Sequence, residues 1–195
     1  MKKNILFCNQ KGGVGKSTIC AELVLSLRRT GIPYNFYDLD QQGGTILDPV
    51  EDQAAAVSVI DTPGALTDKL ADWLRESSVV CIPVRPSALE MASARLMLDA
   101  YKANRQPRAK LVIVVNQFTR WTSSRDFLEW ITAEASRRKC NARITTLIQS
   151  EAILQAGAFG ASVVDFAPKS PAAASALEVI NAIRQAAGLK QEVRT

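Results

Sequence analysis

Asn9-Gln10-Lys11-Gly12-Gly13-Val14-Gly15-Lys16-Ser17-Thr18 is the stretch whose reading decides the fold. A short apolar run, Ile5 to Cys8, leads directly into it, and a helical pattern follows. Strand, glycine loop and helix N-terminus therefore come in that order. A loop of this kind turns its backbone N–H groups inward, and the helix dipole adds partial positive charge, so a polyphosphate fits there. Gly12, Gly13, Val14 and Gly15 supply the cradle, Lys16 reaches the outer phosphates, and the Ser17 hydroxyl sits on Mg²⁺ with Thr18 beside it. A ligand-free glycine turn is the competing reading, and the flanking strand and helix argue against it.

Working outward, short apolar runs alternate with longer helical patterns. The runs predict strands at 5–9, 35–40, 57–61, 79–83, 111–116, 143–147 and 162–166. Helices are expected at 16–30, 67–76, 87–103, 123–139 and 171–187. Gly31 and then Pro33 end the first helix. Ser87 with Glu90 resembles a capping box, and Pro171 suits a first helical turn. Leu111-Val112-Ile113-Val114-Val115 is apolar on both faces, as a central parallel strand is. The expected architecture is a doubly wound, mainly parallel α/β sheet with helices on both faces, one domain over residues 1–195. Residues 41–56 carry the least pattern and read as mobile.

Composition excludes several classes. The chain has 195 residues, four cysteines and no histidine. None of the cysteines is spaced as C-x-x-C, which argues against zinc and iron–sulfur sites. Cys8 and Cys81 read as small buried hydrophobes. Without histidine the usual general base and triads are also missing. No apolar stretch is long enough to cross a bilayer, so a cytosolic location is expected. The net charge of +5 is uneven. Lys102, Arg105, Arg108, Lys110, Arg120, Arg125, Arg137, Arg138, Lys139 and Arg143 face only Asp126, Glu129 and Glu134 in the same region. Such asymmetry suggests a polyanionic partner.

Three carboxylates close apolar runs after the loop. Asp38 and Asp40, two residues apart on a strand, point the same way. Val59-Ile60-Asp61 has the form in which a carboxylate holds Mg²⁺ directly or through water. An aspartate at a strand end is more often a turn residue, but three of them following a phosphate loop in this order favour a site.

The glycine loop departs from the common pattern: Gln10 stands where glycine is usual, and a second lysine, Lys11, precedes Gly12. In this it resembles the deviant Walker A motif of the ParA/MinD group of P-loop ATPases. The likeness extends to Asp38-Leu39-Asp40-Gln41, with Gln41 in place of proline, to Asp61-Thr62-Pro63, to residues 78–89 and to a Phe166-Ala167-Pro168 turn. It is closest to short plasmid-type ParA proteins. By that resemblance ATP and Mg²⁺ are the cofactors, with Ser17, Asp38 and Asp61 at the metal and Asp40 orienting the attacking water. Lys11 would act on the phosphates of a second copy across an ATP-dependent homodimer. Asn116 would read the adenine edge, a structural role being equally open to it, and backbone near Phe166 and Pro168 would pack on the base.

The resemblance also implies slow hydrolysis, non-specific DNA binding and a ParB-like centromere-binding partner that stimulates turnover. The expected role is partition of plasmid or chromosomal DNA in a nucleoid-associated, cytoplasmic state. Arg120, Arg125, Arg137, Arg138, Lys139 and Arg143 are the candidate DNA contacts; a solvated helix face is the plainer reading of them. Trp121 and Trp130 read as core or interface aromatics. A MinD-like membrane regulator is one alternative, although the alanine-rich segment from Ala182 makes a weak anchor. An accessory ATPase of conjugative DNA transfer is another.

Overall fold

A computed structural model describes residues 2–40, 47–64 and 69–193. Its centre is a sheet of six parallel strands: β1 (Lys3–Phe7), β2 (Tyr34–Asp38), β3 (Val57–Asp61), β4 (Val79–Val84), β5 (Lys110–Phe118) and β6 (Ala142–Ile148). They lie in the order β2-β3-β1-β4-β5-β6. The chain winds one way from β1 and then crosses back over it to β4, which leaves the loop after β1 at the middle of the sheet.

The strands are apolar on both faces because helices cover both. Along β1, Ile5 and Phe7 point to one layer, while Leu6 and the following Cys8 point to the other. The first layer is closed by α1 (Lys16–Arg29), α5 (Glu151–Ala158), α6 (Val163–Phe166) and α7 (Pro171–Ala186). The second is closed by α2 (Leu70–Glu76), α3 (Met91–Asn104) and α4 (Thr122–Arg137). In α1 the buried residues Ile19, Cys20, Leu23, Val24 and Leu27 repeat at helical spacing. Each such buried side chain contributes about 1.5–3 kcal/mol, which anchors the helix that begins at the glycine loop.

Four expectations change. Residues 162–166 form the short helix α6 instead of a strand, because the Glu22 carboxylate on α1 accepts from both Ser162 Oγ (2.5 Å) and Val163 N (2.8 Å) and pins a helix start there. Helix α5, capped by the Ser150 hydroxyl, is additional. Ser87 does cap, accepting from Leu89 N, but Glu90 does not complete a box; its side chain turns inward and a 3-10 turn, Ala88–Glu90, precedes α3. Of the segment read as mobile, residues 41–46 lie outside the described residues, as do 65–68 at the start of the expected second helix. The rest is tied down: Val50 pairs antiparallel with Phe36, and Asp52 N donates to Asn35 Oδ1 (2.7 Å), covering the β2 edge.

Candidate functional site

The loop after β1 is fixed from both sides. Cys8 N donates to Cys81 O (3.1 Å), and Asn9 Nδ2 donates to Pro83 O (2.7 Å), tying the loop's first half to β4. Asn9 Oδ1 in turn accepts from Lys11 N (3.0 Å). Gly13 and Gly15 have φ of 72° and 94°, the left-handed region that favours glycine. At Gly15, the N-cap of α1, a Cβ would lie 2.1 Å from Asn116 Nδ2. Thr62 donates to Phe7 O through both N and Oγ1 and lays the turn after β3 over the loop. Gly64 then sits so close that a Cβ would meet Gly12 Cα at 3.0 Å and Lys16 Nζ at 3.3 Å. A bulkier residue at position 64 would displace the lysine.

These elements surround a cavity of about 770 Å³. One side is Gly12, Gly13, Gly15, Lys16, Ser17 and Thr18, with Asp40 and Gly64 opposite. The other side is Asn116 and Gln117 from β5, then Ile148, Gln149, Ser150, Ile153 and Leu154 from the β6–α5 junction. Lys16 is buried and lines the cavity. Val14 is fully buried beneath the loop.

Asp61 is the chemically unusual group. It is 0 % exposed, and among the described residues neither carboxylate oxygen has a partner of full hydrogen-bond geometry, although the Ser17 hydroxyl stands beside it. Burial pushes its carboxyl up to about 6; Ser17 and Lys16 pull it back, and Asp38 and Asp40 raise it. Two orphaned hard oxygens next to a serine hydroxyl and a phosphate loop match the donor set for Mg²⁺, which binds few carboxylates and keeps phosphates and waters. No cluster of three acidic or sulfur ligands occurs among the described residues, so the ion would depend on those further oxygens.

Asp38 lies in register beside Asp61 on the neighbouring strand. The strand stops at Asp38, and Asp38 Oδ1 accepts from Asp40 N (2.9 Å) in a tight turn, so the expected alternation does not reach Asp40. Asp40 lines the cavity through this turn.

Asn116 is held by the protein on both ends of its amide, donating to Val14 O (2.9 Å) and accepting from Gln117 N (2.9 Å). It braces the loop and also lines the cavity. Phe166 and Pro168, expected at the base, do not line this cavity. Helix α6 turns Phe166 outward onto Phe159, their ring centroids 5.9 Å apart, and Pro168 lines a separate surface hollow. Gln149, Ser150 and Leu154 line the cavity at the β6–α5 junction. Gln117 (φ 56°) is a non-glycine residue in the left-handed region at the bulge of β5 and faces the same space. Sequence reasoning missed it because only the backbone distortion marks it.

Lys11 lies outside the cavity lining. Its amine contacts Glu90 Oε1 (3.0 Å) and Leu89 O (3.3 Å) within its own chain. The basic residues do not form one patch. Arg120 and Arg125 are exposed at the start of α4, on the phosphate end of the sheet. Arg137 and Lys139 are exposed at the other end, about 24 Å away along the helix. Arg138 is half-buried between Asp99 and Glu134, and Arg143 contacts Gln185 beside the opposite helical layer. Trp130 packs on Phe127, whereas Trp121 is 77 % exposed.

Known structures share this frame across nearly their whole length. Cyanothece McdA carrying an aspartate-to-alanine change, in complex with ATP, superposes with a TM-score of 0.76 at 14% identity, covering 98% of this chain and 98% of that one. A ParA family ATPase from Chlorobium tepidum TLS gives 0.69 at 16% identity, over 92% and 97%. MinD of Pyrococcus horikoshii OT3, complexed with Mg-ADP, gives 0.70 at 14% identity, over 99% and 100%. At these identities the likeness is one of fold. No curated protein matches the sequence. The family match carries further: residues 5–163, from β1 through the glycine loop and both acidic strand ends to the start of α6, fit the CobQ/CobB/MinD/ParA nucleotide binding domain, and the chain belongs to that family, with the ParA/MinD-type ATPase fold.

Proposed function

We propose that this chain is a Mg²⁺-dependent ATP hydrolase that acts as an ATP-dependent homodimer on DNA. The observation that carries the reading is Asp61, a buried carboxylate with no partner of full hydrogen-bond geometry among the described residues, beside Lys16 and Ser17 of the phosphate loop. Lys16 and the loop N–H groups hold the phosphates, and the wall from Gln149 to Leu154 meets the base. Ser17 and Asp61, with Asp38 behind them, hold Mg²⁺, which supplies charge neutralisation when bound. Asp40 orients the attacking water. Lys11, outside its own cavity, serves the partner's phosphates. The chain has no histidine, and a carboxylate is a weak base, so turnover in isolation is slow and waits for a ParB-like stimulator.

DNA contact falls to exposed arginines, with Arg120 and Arg125 on the end where a dimer would close. The role that fits is partition of plasmid or chromosomal DNA by a cytoplasmic, nucleoid-associated switch. The test is sizing of the full chain with and without a non-hydrolysable ATP analogue, with DNA retention on the same samples. Dimerisation and salt-sensitive DNA binding are expected only with the analogue, both lost in Lys16→Ala. Lys11→Ala should bind nucleotide but lose hydrolysis. Equal DNA retention without nucleotide defeats the switch, and binding to anionic liposomes instead would favour a MinD-like role.

A further inference from the structure

We infer that Glu90 is a docking carboxylate for Lys11: it holds the lysine within its own protomer and gives it up when a second copy presents a triphosphate. The inference rests on the dimer reading above, but its evidence lies in one chain. Glu90 is 0 % exposed, at the end of the 3-10 turn before α3. Its Oε1 takes Lys11 Nζ at 3.0 Å and Arg85 through Nη2 (3.2 Å) and Nε (3.4 Å). Its Oε2 is equally buried and has no partner among the described residues. Lys11 is anchored a second time by Leu89 O at 3.3 Å. The loop backbone is fixed at this point by Asn9, so the docked state is a choice of the lysine side chain alone.

The lopsided carboxylate gives the dock its release mechanism. Two cations crowd one oxygen while the other stays bare, although a guanidinium can satisfy both oxygens of a carboxylate side-on. With Lys11 present, Oε1 is shared. With Lys11 withdrawn, Arg85, which is 35 % exposed and free to turn, can fork across Oε1 and Oε2 and leave the buried charge compensated. Glu90 thus has a stable partner in either state, and Arg85 is what lets the lysine leave. Glu90 is a positioning residue: it acts through Lys11, not on the phosphates.

The two side chains should therefore act with opposite sign. Glu90→Gln removes the charge that holds Lys11 and keeps the shape. Arg85→Gln leaves Lys11 as the sole cation for Glu90 and tightens the dock. The first readout is labelling of the Lys11 amine in the nucleotide-free full chain by an amine-reactive ester, quantified by peptide mass spectrometry. Labelling should rise at least threefold in Glu90→Gln and fall in Arg85→Gln. Unchanged labelling in both overturns the dock, and if one variant fails to fold the other still decides it. The second readout is the protein concentration at half-dimerisation with a non-hydrolysable ATP analogue, expected to fall in Glu90→Gln and rise in Arg85→Gln. Shifts of the same sign would show mere damage and overturn the release mechanism. If wild type never dimerises, the dimer reading fails while labelling still tests the dock.

Discussion

Asp61 keeps a free-energy cost in place that an asparagine would avoid. Its folded-state value of about 6 lies above the ordinary 3.8, chiefly through burial. The folded chain therefore holds that proton more tightly than the unfolded chain, and the stability this contributes is full below the unfolded value and lost as pH rises through about 6. Relative to Asp61→Asn, wild type should lose up to about 3 kcal/mol of stability between roughly pH 4 and pH 8. Urea titration of both proteins without Mg²⁺ or nucleotide checks it; a pH-independent difference between them would contradict the buried-anion account. Adding Mg²⁺ with ATP analogue at pH 8 should stabilise wild type and not the variant. The loop was legible in its glycine spacing and Asp38 and Asp61 in the apolar runs they close, whereas Asp40 reaches the cavity by a turn that strand alternation does not describe. Glu90 was read as a helix cap because Ser87 stands three residues before it; its inward turn depends on Lys11, 79 positions away, which no local pattern encodes.

At the scale of elements, α4 separates two kinds of arginine that look alike in the sequence. Glu134 is buried on this helix, and burial works to raise its carboxyl, but hydrogen bonds from Arg95 and Arg138 outweigh that and hold it below the usual range. Arg95 Nε lies 2.9 Å from it and also sits over the Trp130 ring at 5.5 Å, while Arg138 bridges to Asp99 at 2.7 Å. Arg138→Ala should therefore lower stability by about 1–2 kcal/mol, and Arg125→Ala by less than about 0.5 kcal/mol. In DNA retention against salt the order reverses: Arg120→Ala or Arg125→Ala should reduce the slope of log affinity by about 1, with Arg138→Ala leaving it unchanged. Equal slopes for all three would remove the phosphate end of α4 from the DNA surface. The elements themselves were largely legible, since all six strands and the four long helices follow from apolar runs and periodicity. The failures were short. α5 and α6 are held by caps and by Glu22, and a four-residue helix carrying Val163-Val164 has no sequence period to reveal it.

Across the whole molecule, the segment after α7 joins the two ends of the chain. Arg184 is 1 % exposed, donates to Lys190 O (2.7 Å), and reaches Ser26 Oγ (2.8 Å) and Thr30 Oγ1 (3.1 Å) on α1. Asn181 exchanges two hydrogen bonds with the Glu192 backbone, and the Glu192 carboxylate accepts from Ser26 Oγ (2.5 Å) and Arg29 Nε (2.6 Å). A tail that reads in sequence as a weak amphipathic stretch is thus a clasp across α1 and α7. Its partners at Ser26, Arg29 and Thr30 lie more than 150 positions away, so periodicity cannot disclose it. The clasp grips the last turns of α1, while the phosphate loop sits at the first, about 21 Å distant. Stability and nucleotide binding should therefore separate here. Glu192→Ala leaves the buried Arg184 without its carboxylate and Arg29 with Asp165 alone, and should lower unfolding stability by about 2–3 kcal/mol. The affinity of the folded variant for Mg²⁺ and ATP analogue should stay within about twofold of wild type, an energy difference of about 0.4 kcal/mol. Urea unfolding and nucleotide titration on one preparation read both quantities. Undiminished stability would mean the clasp carries no net energy, and lost affinity at full stability would mean that α1 transmits strain along its length to the loop.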